Sequence, residues 1–389
     1  MHRPDPPGPL SGLVIVDMTR VLAGPFCTLL LADLGARVIK IERPGRGDDA
    51  RGIGPFIDGR SAYFLSLNRG KQSIALDIRT PGDRAIFERL LGRADVLVEN
   101  FRPGVLDRLG YAASVLATRF PRLVVASISG FGQTGPLAQR PAYDVVAQAM
   151  GGLMSITGPE NGGPVRVGTS IGDLAAGLFA ALGIVASLRH RDRGGGAAPI
   201  DVAMLDCQVA LLENAIARLA ATGEVPGPLG TRHPSIAPFE AFAADDGQFV
   251  VGVANDALFR RLVETLGTPA LADDPRFVTN TERCANLPAL RTELAARFAT
   301  ASRATWLERL EAAGIPCGPI QDVAQVLAHP QVQARNMIVE IEDPAGAFPV
   351  AGNPIKSRAF RDPPTRPPAP ALDADRTEIL RWLESEEKA

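Results

Sequence analysis

Short β-branched runs alternate with helical stretches over the first two hundred residues of the chain. The runs predict six strands, over residues 13–17, 37–42, 73–78, 95–99, 123–128 and 199–203. Helical periodicity in the intervening sequence predicts helices over 26–34, 82–91 and 145–154. Strands as continuously apolar as VVASI are typical of a parallel sheet that helices cover on both faces. The pattern therefore predicts a doubly wound α/β fold.

The second half of the chain has a different pattern. A long apolar stretch over 174–188 ends in the basic run RHRDRGGG and predicts a buried helix, and a second, alanine-rich helix is predicted over 204–222. Glycine and proline accumulate over 223–238, which indicates a linker. A smaller mixed unit follows, with a predicted strand over 248–253 and helices over 255–266, 287–300 and 304–313. The prolines of 343–372 predict an extended segment that packs onto the rest of the protein, followed by a short helix.

The charges of the chain nearly cancel, with 41 basic and 43 acidic residues and a formal net charge of −2. No overall field therefore favours nucleic acid or an anionic membrane, and an anionic ligand must be met by a local basic cluster. The N-terminus MHRPDPPGPL lacks the apolar core of a signal peptide. No uninterrupted apolar run reaches the ~18 residues expected of a membrane span.

The cysteine pattern bears on the compartment. The four cysteines lie far apart and form no CxxC pair: Cys27, Cys207, Cys284 and Cys317. With only four histidines besides, neither a zinc cluster nor a disulfide framework is expected, and a reduced, cytoplasmic location is predicted. Cys317 in GIPCGP has no histidine close in sequence, so it is interpreted as a small buried apolar residue and not as a nucleophile.

Basic residues recur beside the predicted strands. Arg43 follows VIKIE, Lys71 precedes SIALD, and Arg102 and Arg108 follow DVLVENF. Ligands of doubly wound sheets bind outside the carboxyl ends of the strands, where cations on neighbouring loops can bind the phosphates of one ligand. Taken singly, each of the four is better interpreted as a solvated surface charge, whereas four on neighbouring loops favour a shared ligand. The first loop reads TRVLAGP in place of GxGxxG, which disfavours ordinary dinucleotide binding.

Asp173, in VGTSIGDLAAGLFAALG, stands immediately before the long apolar helix and has two interpretations. The first is a helix N-cap, whose carboxylate accepts a backbone N–H of the first turn. The second is a nucleophile, because the helix dipole favours the ionised carboxylate and a carboxylate can attack a thioester to form a mixed anhydride. Flanking glycines would let a bulky thioester approach the backbone closely.

The chain resembles the class III CoA-transferase family (CaiB/BaiF) over nearly its whole length. The resemblance is carried by six segments in the family's order: DMTRVLAGPFCTLLLADLGARVIKIERPGRGDD, SLNRGKQSIALD, DVLVENFRPGVLDRLG, SGFGQTGPLAQRPAYDVVAQAMGG, VRVGTSIGDLAAG and GTRHPSIAPF. Within the family the chain is most similar to the bacterial acetyl-CoA:oxalate CoA-transferases, and then to succinyl-CoA-dependent dicarboxylate transferases. The features that it shares with them are FIDGRSAYF, RPAYD, VRVGTS, GTRHPSIAPF, QARNMIVE and GNPIK.

The resemblance implies roles for particular residues. Asp173 falls on the catalytic aspartate of the family. One group matches positions that contact the adenine and phosphate end of CoA: Arg43, Lys71, Asn100, Phe101 and Arg108. Another group matches the pantetheine and thioester region: Leu22, Arg140 and Tyr143. Arg232 and His233, in TRHP, are candidates for binding the acceptor carboxylate, although His233 can equally be a structural residue of the linker.

The chain also departs from its relatives. Leu22 stands where formyl-CoA transferase has a glutamine near the thioester, and the long glycine loop that covers the site of that enzyme has no counterpart. Racemases of the family have a histidine in a GHD-type motif where this chain has Tyr143, which disfavours racemisation because the acid/base partner is missing. A catalytically idle CoA-binding protein is the remaining alternative.

By resemblance the protein is a Rossmann-like large domain plus a small α+β domain, assembled as an interlocked homodimer. The expected boundaries are 1–200 for the N-terminal part of the large domain, 201–230 for a linker helix, 231–325 for the small domain and 326–389 for the C-terminal return to the large domain. The expected activity is transfer of CoA from acetyl-, succinyl- or formyl-CoA to a small carboxylic acid such as oxalate, through aspartyl anhydride and aspartyl-CoA thioester intermediates. Acyl-CoA and carboxylate are then the substrates, and no tightly bound cofactor, metal, nucleic acid or membrane is expected.

Overall fold

A computed structural model of the chain describes residues 8–342, 346–358 and 360–385. The chain forms two units, a large unit of Met1–Met154, Arg166–Glu224 and Pro330–Ala389, and a small unit of Ser155–Val165 and Val225–His329. Residues 155–165 thus belong to the small unit, although the sequence prediction places them in the large domain. The first seven residues, 343–345 within the proline-rich segment, residue 359 and the last four residues lie outside the described residues.

The large unit begins with a run of alternating strands and helices. Its strands up to residue 203 are β1 (Val14–Asp17), β2 (Arg37–Glu42), β3 (Phe56–Ile57), β4 (Arg60–Ser61), β5 (Gln72–Ala75), β6 (Val96–Glu99), β7 (Val124–Ser129) and β8 (Ile200–Ala203). Its helices up to residue 222 are α1 (Ala23–Asp33), α2 (Ala62–Asn68), α3 (Pro81–Arg93), α4 (Val105–Arg108), α5 (Ala113–Arg119), α6 (Asp144–Met150), α7 (Ile171–Asp192), α8 (Met204–Leu211) and α9 (Asn214–Thr222). Short 3₁₀ helices cover Asp49–Gly52 and Leu153–Ile156.

The small unit and the C-terminal segment supply the remaining elements. In the small unit these are β9 (Phe239–Ala244), β10 (Gly247–Gly252), α10 (Asp256–Thr265), α11 (Asn280–Ala285), α12 (Leu287–Phe298), α13 (Arg303–Ala312), β11 (Cys317–Pro319) and α14 (Val323–Ala328), with a 3₁₀ helix over Pro269–Ala272. The C-terminal segment contains α15 (Pro330–Ala334), β12 (Ile338–Ile341), β13 (Phe348–Ala351), β14 (Thr365–Arg366) and α16 (Arg376–Ser385).

Six of these strands form one parallel sheet in the order β5-β2-β1-β6-β7-β8. Each of the six strands predicted from the sequence is present, and the doubly wound α/β prediction is confirmed. Strand β5 is shorter than predicted, because it ends at Ala75 and the chain then turns towards Asp77. The predicted helix over 204–222 is two helices, because the chain turns at Glu213, whose φ is 50°.

Alternate residues of the strands pack into two apolar layers, one on each face of the sheet. On one face, Ile15 and Val98 pack in a cluster with α1 and α7, to which α7 contributes Ala176 and Ile184. The cluster on the other face includes residues of α3, α5 and α16: Phe87, Leu90, Leu91, Leu116, Ile379 and Leu383. Helix cover on both faces explains why the strands are apolar at nearly every position.

Helices α1 and α7 approach each other very closely because a glycine stands at their contact. A Cβ atom at Gly177 of α7 would lie 2.7 Å from the carbonyl oxygen of Ala23 and 3.2 Å from the backbone nitrogen of Cys27. Small residues at such a contact let two backbones meet. The first turn of α7 is thereby brought to the N-terminus of α1.

Helix α7 is half-buried and not fully buried as predicted. By length and composition it is the one helix of the described residues that could cross a membrane, with 44% of its apolar window buried inside the chain. Its other face exposes four apolar side chains to between 38% and 65%: Leu178, Phe179, Leu182 and Val185. One face of α7 is buried in the core of the sheet, which explains the apolar residues on that face of the helix.

Candidate active site

Two cavities adjoin at the carboxyl edge of the sheet in the large unit. The first, which we call the arginine cavity, has a volume of about 620 Å³, and the second, the aspartate cavity, has about 290 Å³. Arg20, Phe101 and Arg102 line both of them. A ligand that fills one cavity can therefore extend into the other.

The arginine cavity lies where β1, β2, β5 and β6 end. Four guanidinium groups line it, those of Arg20, Arg43, Arg79 and Arg102. Arg43 and Phe101 were predicted from the sequence as ligand-binding residues, and both lie here. Arg79 was not singled out, although it comes two residues after Asp77 in SIALDIR and its side chain is 78% exposed. Four cations around one concave surface fit a ligand that carries several phosphates.

The structure corrects the prediction for Lys71. Its ammonium group is fully buried behind β1, and it donates hydrogen bonds to Asp17 Oδ2 at 3.1 Å, Thr28 Oγ1 at 2.8 Å, Asn68 Oδ1 at 2.9 Å and the carbonyl oxygen of Pro25 at 3.0 Å. Burial lowers the pKa of Lys71 to about 8, against the attraction of Asp17. Because internal acceptors surround its three N–H bonds, this lysine has none left for a phosphate.

A second buried lysine shapes the loop after β1, which lines both cavities. Lys40 Nζ contacts Asp48 Oδ2 at 2.8 Å and donates to the carbonyl oxygen of Thr19 at 2.8 Å. Asp48 Oδ1 in turn accepts the N–H of Val21 at 3.1 Å, and Val21 has a φ of 67°. A buried ion pair thus holds the strained turn that leads to Leu22 and the start of α1.

The loop after β6 is tied to the same turn. Asn100 Oδ1 accepts the N–H of Arg20 at 2.8 Å, and Asn100 Nδ2 donates to the carbonyl oxygen of Arg20 at 2.8 Å. Glu99 Oε2 accepts the N–H of Phe101 at 2.8 Å, and burial raises the pKa of Glu99 to about 7. Asn100 lines the aspartate cavity, and the structure gives its amide a role in holding the Arg20 backbone.

The aspartate cavity contains the residues predicted for the thioester end. Leu22, Arg140, Tyr143 and Asp173 line it. Leu22 is 8% exposed, whereas Tyr143 is 79% exposed. Arg140 lies with its guanidinium carbon 5.9 Å from the centre of the Phe131 ring.

Asp173 is not the N-cap of α7. The helix begins at Ile171, and Asp173 lies within its first turn. The backbone acceptor role belongs to Asp144, whose Oδ1 accepts the N–H of Gly172 at 2.8 Å. Burial and the nearby charge of Asp144 raise the pKa of Asp173 to about 7, against a hydrogen bond from the Ala23 N–H that lowers it. The Asp173 carboxylate is therefore more basic than that of an ordinary aspartate.

Tyr63, on α2, is a further residue near the carboxylates that the sequence did not single out. Burial raises its pKa to about 12, and the charges of Asp173, Asp48 and Asp144 contribute to the rise.

The remaining predicted residues do not line either cavity. Arg108 is exposed at the end of α4. Arg232 and His233 belong to the small unit, where Arg232 Nε lies 3.1 Å from Glu160 Oε1. The His233 ring packs 5.5 Å, centre to centre, from that of Phe239. Within the described ranges no three His, Cys, Asp or Glu residues come together as a metal site.

A doubly wound sheet with an arginine cavity beside a basic, half-buried carboxylate has the features expected of an enzyme with a phosphorylated substrate. A model of CoA-transferase family III matches residues 10–376. The chain is 50% identical over 369 residues to the acetyl-CoA:oxalate CoA-transferase of Acetobacter aceti, which covers 95% of this chain and 94% of that protein. It is 42% identical over 375 residues to the human succinyl-CoA:glutarate CoA-transferase, covering 96% of this chain and 85% of that protein.

A solved structure agrees with these relatives. A CaiB/BaiF family protein from Brucella suis superposes with a TM-score of 0.84 at 39% identity, over 97% of this chain and 100% of that one. The chain therefore belongs to CoA-transferase family III, and the family predicted from the sequence is confirmed. It is a CoA-transferase that acts on CoA thioesters.

Proposed function

We propose that this enzyme moves CoA from acetyl-, succinyl- or formyl-CoA to a small carboxylic acid such as oxalate, with Asp173 as the nucleophile. The observation that carries the proposal is the position of Asp173 in a cavity that shares three lining residues with the arginine cavity. Relatives named for oxalate and glutarate support a small dicarboxylate as the acceptor.

The CoA ester would lie across both cavities. Its phosphates would bind in the arginine cavity, to Arg43, Arg79 and Arg102, whose guanidinium groups suit paired phosphate oxygens. Its thioester would reach the aspartate cavity, beside Leu22 and Asp173. Asn100 would serve this arrangement by fixing the backbone of Arg20, which lines both cavities.

The first half-reaction would transfer CoA to the enzyme. The Asp173 carboxylate attacks the carbonyl carbon of the acyl-CoA, a C–O bond forms, the C–S bond breaks, and CoA leaves as the thiolate. The thiolate then attacks the aspartyl carbonyl of this mixed anhydride and expels the donor as a carboxylate. The product is a thioester between Asp173 and CoA.

The second half-reaction would run the same two steps with the acceptor. The acceptor carboxylate attacks the aspartyl thioester and releases the thiolate, which then attacks the acyl carbon of the new anhydride. This restores the Asp173 carboxylate and gives the new acyl-CoA. Every step exchanges one activated acyl group for another, so protons, electrons and atoms balance without an added reactant.

The raised pKa of Asp173, about 7, suits these steps. A more basic carboxylate is a better nucleophile, and near neutral pH a large part of it is still ionised. The Ala23 N–H that binds this carboxylate would orient it towards the thioester. The residues that line the aspartate cavity include no histidine, which argues against racemisation because that reaction needs a second acid/base group.

We retain Arg232 and His233 as proposed acceptor-binding residues, through an Arg–carboxylate pair and an imidazole hydrogen bond. His233→Ala should raise the acceptor KM. An unchanged KM would leave His233 with the structural role that its packing on Phe239 already gives it.

We also propose a homodimer, interlocked as the resemblance implies, and a cytoplasmic location. The exposed apolar face of α7 supports the dimer, because exposed apolar patches of this kind mark protein interfaces. The four cysteines, all unpaired within the described chain, support a reducing compartment.

The nucleophile is tested by trapping. Wild-type enzyme incubated with acyl-CoA should gain the mass of CoA less one water, and peptide mapping should place the modification on Asp173. Asp173→Asn and Asp173→Ala should gain no such mass and lose transfer while still binding CoA. Turnover by a clean Asp173→Ala sample would contradict the proposal. A donor-by-acceptor matrix read by mass spectrometry would then identify the substrates.

A further inference from the structure

Asp144 is a buried carboxylate that the mechanism above does not use. It is the first residue of α6, directly after Tyr143, and it is 7% exposed. Its Oδ1 accepts the N–H of Gly172 at 2.8 Å, and its Oδ2 accepts Gln148 Nε2 at 2.8 Å. Arg166 Nη2 lies 3.3 Å from the same Oδ2. One carboxylate therefore joins α6 to the start of α7.

The partners of Asp144 hold the segment that leads into α7. Gln148 Oε1 accepts the N–H of Val167 at 3.0 Å, and Arg166 Nη2 donates to Ser170 Oγ at 3.1 Å. Ser170 is the residue before α7 and, within the described chain, makes no side-chain cap hydrogen bond. The free N–H groups of a first helical turn need acceptors. Asp144 supplies one from a different helix.

The position of Gly172 requires this close approach. A Cβ atom there would lie 3.0 Å from Asp144 Oδ1 and 3.0 Å from Gln208 Nε2. The glycine in front of Asp173 thus admits the Asp144 carboxylate to the helix backbone. The hydrogen bond holds the Ile171–Gly172 peptide, one residue before the nucleophile, and so it constrains the backbone from which the Asp173 side chain projects.

The charge of Asp144 also acts on Asp173. After burial, Asp144 is the other contributor to the raised pKa of Asp173. Arg166 offsets this charge only in part, because its side chain is 41% exposed. The remaining ionisable side chains on elements packed against α7, or close to Asp173, are Cys27 and Asp33 on α1, Asp201 on β8, Asp206 and Cys207 on α8, and Tyr63 on α2. Arg20, Asp49, Arg102, Arg140 and Tyr143 line the cavity itself.

We propose that Asp144 is a positioning residue for CoA transfer: it holds the first turn of α7 so that Asp173 faces the thioester, and it places a second negative charge near the nucleophile. The proposal rests on the proposed function, in which Asp173 forms the covalent intermediate. Asp144 touches neither CoA nor acceptor in this scheme and works through Gly172 and Asp173.

The test uses a variant that separates the hydrogen bond from the charge. Asp144→Asn keeps an oxygen acceptor for the Gly172 N–H and removes the negative charge. The readout is the single-turnover rate of the Asp173–CoA adduct against pH, with excess acyl-CoA. The acid limb of the wild-type profile should lie near pH 7, where Asp173 is protonated. In Asp144→Asn it should move down by about one pH unit, and the rate on the plateau should fall about tenfold with the KM for acyl-CoA unchanged.

Arg166→Gln should displace the acid limb of the pH profile in the opposite direction. It removes the cation from beside Asp144 and leaves both carboxylates, so the acid limb should move up. Asp206→Asn is the matched control, because it removes an exposed carboxylate from the first turn of α8, and its profile should equal that of the wild type. Asp144→Ala, which also removes the acceptor, should lose more of the plateau rate than Asp144→Asn.

The outcomes separate this inference from the proposed function. Wild-type profiles in both Asp144→Asn and Arg166→Gln would overturn the positioning role while Asp173 stayed the trapped residue. If Asp144→Asn does not fold, an upward displacement of the acid limb in Arg166→Gln supports the positioning role of Asp144. An acid limb that does not move overturns that role. Turnover by Asp173→Ala would instead remove the proposed function, whatever the Asp144 variants do.

Discussion

Gly177 of α7 lies directly against the backbone of Ala23 at the start of α1, with room for no side chain between them. Gly177 stands one helical turn after Asp173, on the same face of α7. The Ala23 N–H is also the backbone group that lowers the pKa of Asp173. The contact between the two backbones therefore holds the start of α1 against the helix that carries the nucleophile.

Gly177→Ala should consequently lower kcat more than it changes the KM for acyl-CoA. A Cβ atom 2.7 Å from the Ala23 carbonyl oxygen must push α1 and α7 apart, and backbone atoms give way less easily than side chains. We expect a loss of about 1–3 kcal/mol in the free energy of unfolding from overpacking. No residue of α7 lines the arginine cavity, so CoA binding should persist.

Gly183→Ala is the matched control on the same helix. A Cβ atom there would meet only the Ile200 side chain, at 3.2 Å, which can rotate away. Alanine has the higher helix propensity, so this variant should be as stable as the wild type or more stable by up to about 1 kcal/mol. Equal kinetics for Gly177→Ala and Gly183→Ala would contradict the importance of the contact.

The raised pKa of Asp173 predicts that its neutral replacement stabilises the protein above neutral pH. In the unfolded chain the carboxyl ionises near 3.8, whereas in the folded protein it ionises near 7. Between these values the folded state binds more protons, so its stability from this group falls as the pH rises from about 4 to about 7. The ionised, half-buried carboxylate then costs stability at pH 8 that it does not cost at pH 4.5.

Asp173→Asn should therefore raise the melting temperature relative to wild type at pH 8, by a few degrees, and much less at pH 4.5. Thermal unfolding of both proteins across this pH range measures the effect, with Asp206→Asn as the control for loss of an exposed carboxylate. A melting-temperature difference that does not depend on pH would show that the pKa of Asp173 is near its usual value.

Much of the fold could be predicted from the sequence because its strands are buried on both faces. Strand β2 coincides with its predicted range, and the other five strands of the sheet overlap theirs. The break between α8 and α9 was missed because the alanine-rich pattern continues across Glu213. Periodicity reports which face of a helix is apolar, and it does not report where the axis turns.

The candidate site was predicted less completely, for a different physical reason. Asp173 looked like its own helix cap because the acceptor that binds the first turn, Asp144, comes from a helix 28 residues earlier. Lys71 looked like a phosphate ligand because a charged residue is expected at the surface, yet Asp17 holds it in the interior. Arg79 was not predicted as a ligand-binding residue. Its neighbour Asp77 binds it in a geometry that places it on the wall of the arginine cavity. Each error concerns either an interacting residue that is distant in the sequence or the direction in which a side chain points.

The correction for Lys71 yields a paired prediction with Arg79. Arg79→Ala should raise the KM for acyl-CoA about tenfold with little change in kcat, because a charge-assisted phosphate contact is lost. Arg119→Ala, which also removes an exposed and ion-paired arginine, is the control and should leave the KM unchanged. Repeating the measurement with the 3′-dephospho thioester identifies the phosphate: if the 3′-phosphate is the partner, Arg79→Ala has no further effect there.

Lys71→Met should instead act on stability. It leaves the Asp17 carboxylate buried with one cation fewer, and losing one partner of a buried ion pair costs about 3–5 kcal/mol. Urea unfolding measures this loss. A wild-type free energy of unfolding together with a KM raised as in Arg79→Ala would show that Lys71 binds the phosphate directly after all.

The exposed face of α7 predicts that one added charge will dissociate the proposed dimer. Leu182, at 65% exposure the most exposed of its four apolar residues, is the position to change. A two-fold assembly would bury two copies of Leu182→Glu, and each unpaired charge costs at least about 2 kcal/mol, so dimerisation should weaken by about a thousandfold. Thr118→Glu, on the exposed side of α5, adds the same charge away from this face and should not matter. Sedimentation over a range of concentrations measures the dimerisation. A monomeric wild type, or a Leu182→Glu dimer as stable as that of the wild type, would show that this face is not the dimer interface.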